Sequence, residues 1–331
     1  MGDWSVALGP GREFDLIRGL LDIEDRLPPG VRMGSGDDCA ILEGGVVVSV
    51  DLSVEEIHFR RDWLSLEEAG YRATAGALSD LAAMAADPLG VLLSMALAPG
   101  EAGEAARALQ AGAREACRRE GIQILGGDVS RSPGPVFLDV TVLGRTETPL
   151  LRKGSEVGDE VWVTGVVGGS AAALDLLARG ETPTGPLRER WVRPQPRIRE
   201  MRWLRERMML HAGIDLSDGL AGDAGHLAAA SDVALILEAE RIPLDPEVGA
   251  VVRDSEDRLH FGLRGGEDYE VCFTAPPGEA EGVASEFRET FGVPITRIGR
   301  VEEGSGTHLQ DPLGGVKALR GGFDHFTEEV G

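Results

Sequence analysis

Six short acidic motifs constrain this chain most, because they place carboxylates at turn-like positions and four of them contain glycine. They are Gly36-Asp37-Asp38, Val50-Asp51, Ser79-Asp80, Gly126-Gly127-Asp128, Asp215-Leu216-Ser217-Asp218-Gly219 and Gly265-Gly266-Glu267-Asp268. Two carboxylates about 4 Å apart repel by roughly 4 kcal/mol at an effective dielectric constant near 20, so several in one cleft need bound cations. Hard divalent ions prefer oxygen ligands, and Mg²⁺ commonly links carboxylates to substrate phosphates. The pattern therefore indicates phosphate chemistry.

The charge and the cysteines limit the compartment and the partners. Acidic residues outnumber basic residues by 56 to 33, and the resulting field repels nucleic acid and anionic membrane surfaces. No stretch approaches the roughly 20 apolar residues of a membrane span, and residues 1–14 lack the pattern of a secretion signal. Cys39, Cys117 and Cys272 are widely spaced, which is typical of reduced thiols. We therefore expect a soluble, cytoplasmic protein with no nucleic-acid or membrane partner.

Strands alternate with long helices along the chain, which is typical of an α/β or α+β fold. We predict strands over residues 46–53, 91–98, 122–125, 136–145, 160–167, 212–216, 269–274 and 295–301. We predict helices over residues 66–87, 101–120 and 168–179, then a proline-rich connector over 181–196 and a helix ending near residue 210. The polar segment 145–159, with Pro149, Gly154 and Gly158, indicates a boundary between domains at 1–148 and 149–331.

Other phosphate-binding signatures are absent from the sequence or incomplete. There is no GxxxxGK[ST] pattern, so the chain is not a P-loop enzyme. Gly34-Ser35-Gly36 resembles the start of a dinucleotide fingerprint, but Cys39 occupies the third glycine position. The GxSxG and HExxH patterns do not occur.

Two glycine-linked motifs suit a phosphate site with metal ions. Asp215 and Asp218 flank a predicted helix start, where Ser217 as N-cap and free backbone N–H groups would hold a phosphate. Gly127 lets the backbone approach a ligand closely just before Asp128. His58 follows the Asp51 strand by seven residues and could face the same cleft, whereas no histidine pair has zinc-like spacing.

The order of motifs resembles the thiamine-monophosphate kinase family, whose superfamily includes aminoimidazole ribonucleotide synthetase and selenophosphate synthetase. The matching segments are Gly11-Arg12-Glu13-Phe14, Gly36-Asp37-Asp38-Cys39-Ala40, Ser79-Asp80-Leu81-Ala82-Ala83-Met84-Ala85-Ala86-Asp87-Pro88, Gly126-Gly127-Asp128, Ile214-Asp215-Leu216-Ser217-Asp218-Gly219-Leu220, Gly265-Gly266-Glu267-Asp268-Tyr269-Glu270 and Gly322-Phe323-Asp324-His325-Phe326. The resemblance thus extends from residue 11 to residue 326.

This resemblance implies ATP-dependent phosphorylation of thiamine monophosphate to thiamine diphosphate. It also implies a two-domain, aminoimidazole ribonucleotide synthetase-like fold, and a homodimer whose N-terminal sheets pack together with ATP at the interface. Family roles carried over make Mg²⁺ ligands of Asp38, Ser49, Asp51, Asp80, Asp128, Asp215 and Asp218. They place ATP at Gly127, Asp128, Arg152 and Ser217, place thiamine monophosphate at His58, Glu267 and Phe323, and give catalytic roles to Asp128 and Asp218.

Some residues depart from the family pattern. Val50 and Leu52 stand where family members often carry threonine beside the metal aspartate, and this would remove a hydroxyl ligand. Ala77 replaces a common asparagine, and no aromatic residue is an evident adenine contact.

Three rival functions remain. Selenophosphate synthetase would need a reactive cysteine or selenocysteine with a nearby lysine, and neither occurs before Gly34. Hydrogenase maturation proteins of the same fold carry a C-terminal cysteine, where this sequence has Gly331. A non-catalytic module that binds nucleotide or Ca²⁺ is the third, although EF-hand spacing is absent.

Overall fold

The computed structural model describes residues 11–20, 27–319 and 321–323. Within them the chain forms two seven-stranded sheets, one in each half, with helices packed against them. This confirms the predicted α/β class. None of the described helices is long and apolar enough to cross a membrane.

The described residues of the N-terminal half form the first sheet and three α-helices. Its elements are α1 (Arg12–Leu20), β1 (Val31–Met33), β2 (Ala40–Leu42), β3 (Val46–Val54), α2 (Leu66–Ala83), β4 (Asp87–Leu97), α3 (Glu104–Arg119), β5 (Ile124–Gly126), β6 (Val129–Arg131) and β7 (Phe137–Arg145). The strand order is β1-β2-β3-β7-β4-β5, and β6 also pairs with β4.

The C-terminal half contains the second sheet and the remaining described helices. Its elements are β8 (Glu160–Thr164), α4 (Gly169–Ala178), α5 (Gly185–Val192), α6 (Ile198–Arg207), β9 (Ala212–Asp215), α7 (Leu220–Ser231), β10 (Ala234–Glu238), α8 (Val248–Val251), α9 (Ser255–Arg264), β11 (Val271–Ala275), α10 (Glu279–Phe291), β12 (Ile295–Glu302), β13 (Gly306–Gln310) and β14 (Val316–Ala318). The strand order is β14-β13-β10-β12-β8-β11-β9.

Helix α2 is the central element of the N-terminal half. It begins with a capping box, in which Ser65 and Glu68 bond each other's backbone N–H groups. Helix α3 packs against it so closely that a Cβ on Gly112 would lie 1.8 Å from the carbonyl oxygen of Glu67. The alanine-rich sequence of α2 permits this close packing, and the two helices cover one face of the first sheet.

The two halves share a buried apolar cluster. Trp191 from α5 and Ile198 and Leu204 from α6 belong to the same cluster as Leu78 and Leu81 of α2. The C-terminal half therefore packs directly on α2, which brings the end of α2 close to the end of β9. The domain boundary at residues 148 and 149 stays a prediction.

Two predicted elements need correction. Helix α2 ends at Ala83 and does not continue to Asp87, because Ala85 adopts a left-handed conformation (φ 49°). The N–H groups of Ala85 and Ala86 bond back to Ala82 and Leu81, which is the hydrogen-bond pattern of a Schellman termination. The predicted loop over residues 181–196 contains the short helix α5, which begins with proline in its first turn.

Candidate active site

Strand alternation places one face of β3 against α2. Val47 is buried on that face, and Ser49 and Asp51 follow it at every second position. Asp80 lies in the last turn of α2 and accepts a hydrogen bond from the Ser49 side chain. These two elements therefore bring Asp51 and Asp80 together.

Three carboxylates form a cluster at the junction of the two halves. Asp38 follows β1, Asp215 ends β9, and one oxygen of each lies within 4.8 Å of one oxygen of Asp80. Asp38 Oδ2 is buried and has no hydrogen-bond partner among the described residues. A buried acceptor without a donor, within a cluster of three carboxylates, fits the oxygen ligand set of a hard divalent cation.

Burial and mutual repulsion disfavour the ionised form of these carboxylates. Burial, and then the charge of Asp38, raises the pKa of Asp215 to about 8. The same two causes raise the pKa of Asp51 to about 6. Burial, and then the charge of Asp51, raises the pKa of Asp80 well above its ordinary value. The ionised cluster therefore requires nearby positive charge.

Arg152 supplies part of this charge. Its Nη2 lies 2.6 Å from Asp38 Oδ1, and its backbone N–H donates to Asp37 Oδ2 at 3.0 Å. Burial, and then the charge of Asp38, raises the pKa of Asp37 to about 7. One guanidinium beside several carboxylates leaves an excess of negative charge that divalent cations would neutralise.

Ser79 is a site residue that the sequence analysis missed. Its buried hydroxyl donates to Asp215 Oδ2. The motif Ser79-Asp80 drew attention to the aspartate alone, and the partner of Ser79 is 136 positions away. No local pattern could have revealed this contact.

The loop after β9 differs from its interpretation as a serine-capped helix start. Helix α7 begins at Leu220, its N-cap is Gly219 (φ 104°), and no side chain caps it. The prediction that Ser217 is the N-cap is therefore wrong. Instead, Asp223 in the first turn of α7 reaches back, and its Oδ2 accepts the Asp218 N–H at 3.2 Å. The one sequence signal for Asp223 is an acidic side chain in the first turn of a predicted helix.

The motif Gly126-Gly127-Asp128 lies on an exposed edge of the first sheet. Gly127 has φ 150°, and a Cβ there would lie 1.8 Å from the carbonyl oxygen of Leu93, so glycine is required. Asp128 is exposed and lies outside the cluster of Asp38, Asp80 and Asp215.

Two of the three predicted substrate residues meet at one loop. The Glu267 N–H donates to the carbonyl oxygen of Ser217 at 2.8 Å, and the Phe323 N–H donates to that of Asp218 at 2.9 Å. The Phe323 side chain is exposed, and residues 324–326 of its motif lie outside the described residues. His58 lies in the N-terminal half, in the turn after β3, where its Nδ1 accepts the Val54 N–H at 3.0 Å.

Comparison with known proteins places the chain in a family. Residues 36–146 match the family model described as AIR synthase related protein, N-terminal domain, and residues 156–312 match that of the C-terminal domain. The thiamine-monophosphate kinase of Rhodopirellula baltica is 35% identical over 285 residues, which are 82% of this chain and 84% of that protein. The chain belongs to the thiamine-monophosphate kinase family. The Escherichia coli member is 34% identical over 299 residues, or 87% of this chain and 90% of that protein.

Solved structures agree with this membership. The thiamine-monophosphate kinase of Stenotrophomonas maltophilia K279a has a TM-score of 0.74 and 34% identity, and the match covers 89% of this chain and 94% of that one. The structure described as AaThiL complexed with AMPPCP and TMP has a TM-score of 0.78 and 29% identity. That match covers 96% of this chain and 97% of the other. Structures of the hydrogenase maturation protein HypE, at 16–20% identity, share the fold alone.

The metal roles that the thiamine-monophosphate kinase family implies fall into three groups in this chain. Asp38, Ser49, Asp51, Asp80 and Asp215 lie in or against the cluster. Asp218 lies in the adjoining loop, close enough for its charge to raise the pKa of Asp223 after the larger effect of burial. Asp128 stands apart. The roles of all seven residues stay predictions.

The departures from the thiamine-monophosphate kinase pattern at Val50 and Leu52 have a structural explanation. Both side chains are exposed on the face of β3 opposite to Asp51. A hydroxyl at either position would point away from the cluster of its own chain, so the cluster keeps its oxygen donors without it.

Proposed function

We propose that this chain transfers the γ-phosphoryl group of ATP to the phosphate of thiamine monophosphate, giving ADP and thiamine diphosphate. The observation that carries the proposal is the cluster of Asp38, Asp80 and Asp215 beside the loop that holds Glu267 and Phe323. Family membership supports the same reaction, as does the related structure described as holding AMPPCP and TMP.

Several Mg²⁺ ions are part of the proposal. Asp38, Asp51, Asp80 and Asp215 would hold metal in the cluster, with Ser49 hydrogen-bonded to Asp80. Asp218 and Asp128 would hold metal at the adjoining loop and at the sheet edge. When bound, Mg²⁺ supplies charge neutralisation for the transferring phosphoryl group.

The transfer is proposed to be direct and in line. Attacking and leaving oxygens both belong to phosphates, so the reaction hardly needs a strong general base. Cys39 lies among the carboxylates, but burial, and then the charge of Asp80, raises the pKa of its thiol well above its ordinary value. A neutral, buried thiol is a poor nucleophile, which argues against a covalent phosphoenzyme at this residue.

We place the nucleotide phosphates at Gly127, Asp128, Arg152 and Ser217. The glycine lets backbone approach the phosphates, and the guanidinium beside Asp38 would face them together with the metal. Thiamine monophosphate is placed at His58, Glu267 and Phe323, because an exposed phenyl ring suits stacking on a cationic thiazolium.

A homodimer formed through the first sheet is also part of the proposal. The face opposite to α2 and α3 exposes Val50 (57%), Leu52 (53%) and Leu92 (37%), and Leu125 and Val129 near the sheet edge are 58% and 62% exposed. On the intervening strand β7, Thr141 pairs with both Val50 and Leu92, and Asp139 pairs with Leu52. Exposed apolar side chains on an uncovered sheet face are nevertheless typical of an interaction surface. Such a dimer would cover the edge that carries Gly127 and Asp128. Cytoplasmic location stays a prediction.

The test is product analysis by chromatography with Mg²⁺ and ATP, and with thiamine monophosphate, free thiamine, selenide or no acceptor. We expect ADP and thiamine diphosphate with thiamine monophosphate, and little turnover with free thiamine. Selenophosphate formation would favour the selenophosphate synthetase alternative. Nucleotide binding without ADP release under any divalent metal would favour a non-catalytic module and contradict the proposal.

A further inference from the structure

The segment 267–270 adopts an unusual backbone conformation. Glu267 (φ 67°) and Tyr269 (φ 50°) both lie in the left-handed region, although neither is glycine. Side chains with a Cβ adopt this region rarely, and such residues persist where the surrounding structure holds them. The contacts of this segment therefore show what fixes it.

Most of the segment is anchored within the C-terminal half. The Asp268 carboxylate accepts the Gly168 N–H at 2.6 Å at the start of α4. The buried Glu270 pairs with Arg197, whose Nε lies 2.6 Å from Glu270 Oε2. The Tyr269 N–H donates to the carbonyl oxygen of Leu216 at 2.9 Å. These bonds set the path of the chain on both sides of the loop after β9.

The Glu267 side chain is held from the other half of the molecule. Arg72 of α2 forms an ion pair with Glu267 Oε2. The same guanidinium donates to the carbonyl oxygen of Trp191, and its Cζ lies 5.0 Å from the centroid of the Trp191 ring. Arg72 is therefore fixed by the end of α5 as well as by its own helix.

Arg72 and Glu267 differ in the solvent exposure of their side chains. The Arg72 side chain is 5% exposed, whereas that of Glu267 is 31% exposed. A ligand at the loop can therefore reach the carboxylate and not the guanidinium. Any effect of Arg72 on such a ligand would pass through Glu267.

We infer that Arg72 is a positioning residue that fixes the Glu267 carboxylate for the cationic heterocycle of the acceptor. The inference rests on the proposed function for the identity of that acceptor, thiamine monophosphate. A glutamate side chain without a partner loses rotamer freedom when it binds, and the ion pair removes that cost beforehand. A fixed carboxylate attracts the thiazolium charge and accepts a hydrogen bond from the pyrimidine amino group. The heterocycle takes no part in the phosphoryl transfer, so this contact contributes to binding of the ground and transition states alike.

A double-mutant cycle tests this inference through Arg72→Gln, Glu267→Gln and the double variant. Calorimetry gives the Kd of thiamine monophosphate, and steady-state kinetics gives both KM values and kcat. Each single variant should weaken thiamine monophosphate binding about tenfold, and the double variant should be no weaker than Glu267→Gln alone. The KM for ATP and kcat should change less than about twofold, since the contact is uniform between ground and transition states.

Two further variants separate positioning from folding. Arg72→Lys keeps the charge, so it should recover most of the affinity, and this gain should vanish in the Glu267→Gln background. If Arg72→Gln does not fold, Arg72→Lys replaces it in the double-mutant cycle with Glu267→Gln. Arg188→Gln removes a half-buried ion pair that joins α5 to Glu68 at the start of α2, and it should change neither binding nor kinetics.

The outcomes distinguish this inference from the proposed function. Additive effects in the double variant, or equal losses in both KM values, would show that Arg72 supports the fold and would overturn the inference. If the wild type binds thiamine monophosphate and the cycle is non-additive, but no thiamine diphosphate forms, the role of Arg72 is upheld and the proposed reaction is contradicted. Wild-type protein that does not bind thiamine monophosphate would overturn both.

Discussion

Asp218 and Asp128 receive catalytic roles from the family resemblance, and they occupy different surroundings. Asp218 follows the cluster strand β9, whereas Asp128 is exposed at the edge of the first sheet. Asp218→Asn or Asp128→Asn should each lower kcat by about 10²-fold or more, because the loss of one charge-stabilising group commonly raises the barrier by ~3 kcal/mol. Steady-state kinetics at saturating Mg²⁺ and ATP measures this effect.

Asp232→Asn is the matched control for this pair. Asp232 is an exposed residue in the left-handed conformation at the end of α7, which asparagine also adopts readily. Its turnover should equal that of the wild type, and circular dichroism should be native for all three variants. Wild-type turnover in both Asp218→Asn and Asp128→Asn would refute the catalytic assignment.

Phe323 is expected to bind substrate without taking part in the transfer. Its ring is 55% exposed, and its backbone is bonded to Asp218. Phe323→Ala should raise the KM for thiamine monophosphate roughly 5- to 30-fold with little change in kcat, because stacking on a cation is worth about 1–2 kcal/mol. Phe323→Tyr keeps the ring and should behave as the wild type. If Phe323→Ala changed the KM for ATP more than the KM for thiamine monophosphate, thiamine monophosphate would not bind at Phe323.

At the scale of elements, the uncovered face of the first sheet gives a prediction about assembly. The wild type should sediment as a dimer. The double variant Leu52→Lys with Leu92→Lys should sediment as a monomer of low activity, because it would bury two added charges in the interface. Leu313→Lys is the control, since Leu313 is 96% exposed in the turn between β13 and β14. A monomeric wild type, or a dimeric double variant, would contradict the proposed interface.

Elements with a clear local sequence pattern were predictable, whereas elements that depend on packing against other parts of the chain were not. The run from Val46 predicts strand β3 because it is rich in β-branched valine, and the structure confirms it. The end of α2 was misplaced because the left-handed turn at Ala85 carries no glycine. Helix α5 was missed because prolines dominate the connector, although Trp191 and Val192 bury it against α2.

The residues of the candidate site were likewise predictable where they stand in local motifs, and not where they depend on contacts between the two halves. Asp38, Asp80 and Asp215 stand in acidic motifs, so the sequence could propose them, and the structure brings them together. Contacts such as those of Ser79 with Asp215 and Arg72 with Glu267 join residues from the two halves. They depend on how the C-terminal half packs on α2, which no local spacing encodes.

At the scale of the whole molecule, the cluster couples stability to pH and metal. The pKa values of Asp51, Asp37 and Asp215 are raised to about 6, 7 and 8 from 3.8, so the folded state binds protons more tightly than the unfolded state. The contribution of these groups to the free energy of unfolding of the metal-free protein therefore rises as pH falls from about 8 toward about 4. Mg²⁺ should stabilise the protein more at about pH 8 than at about pH 5.5, because it binds the ionised cluster.

Denaturant unfolding across pH, with Mg²⁺ or with a chelator, measures this coupling. Asp215→Asn should flatten the pH dependence and reduce the gain from Mg²⁺, since it removes one titrating ligand. An exposed substitution such as Asp232→Asn should preserve both. A free energy of unfolding that does not respond to pH or Mg²⁺ would contradict the assignment of the cluster as a metal site.

Direct phosphoryl transfer to thiamine monophosphate is tested by a single-turnover experiment with γ-labelled ATP. Enzyme in excess over ATP is mixed with Mg²⁺, with and without thiamine monophosphate, and the label is followed on protein and on small molecules. We predict that the label passes to the terminal phosphate of thiamine diphosphate and that the protein stays unlabelled when the acceptor is omitted. Label that accumulates on the protein, or that is recovered as inorganic phosphate with no thiamine diphosphate, would rule out direct transfer to this acceptor.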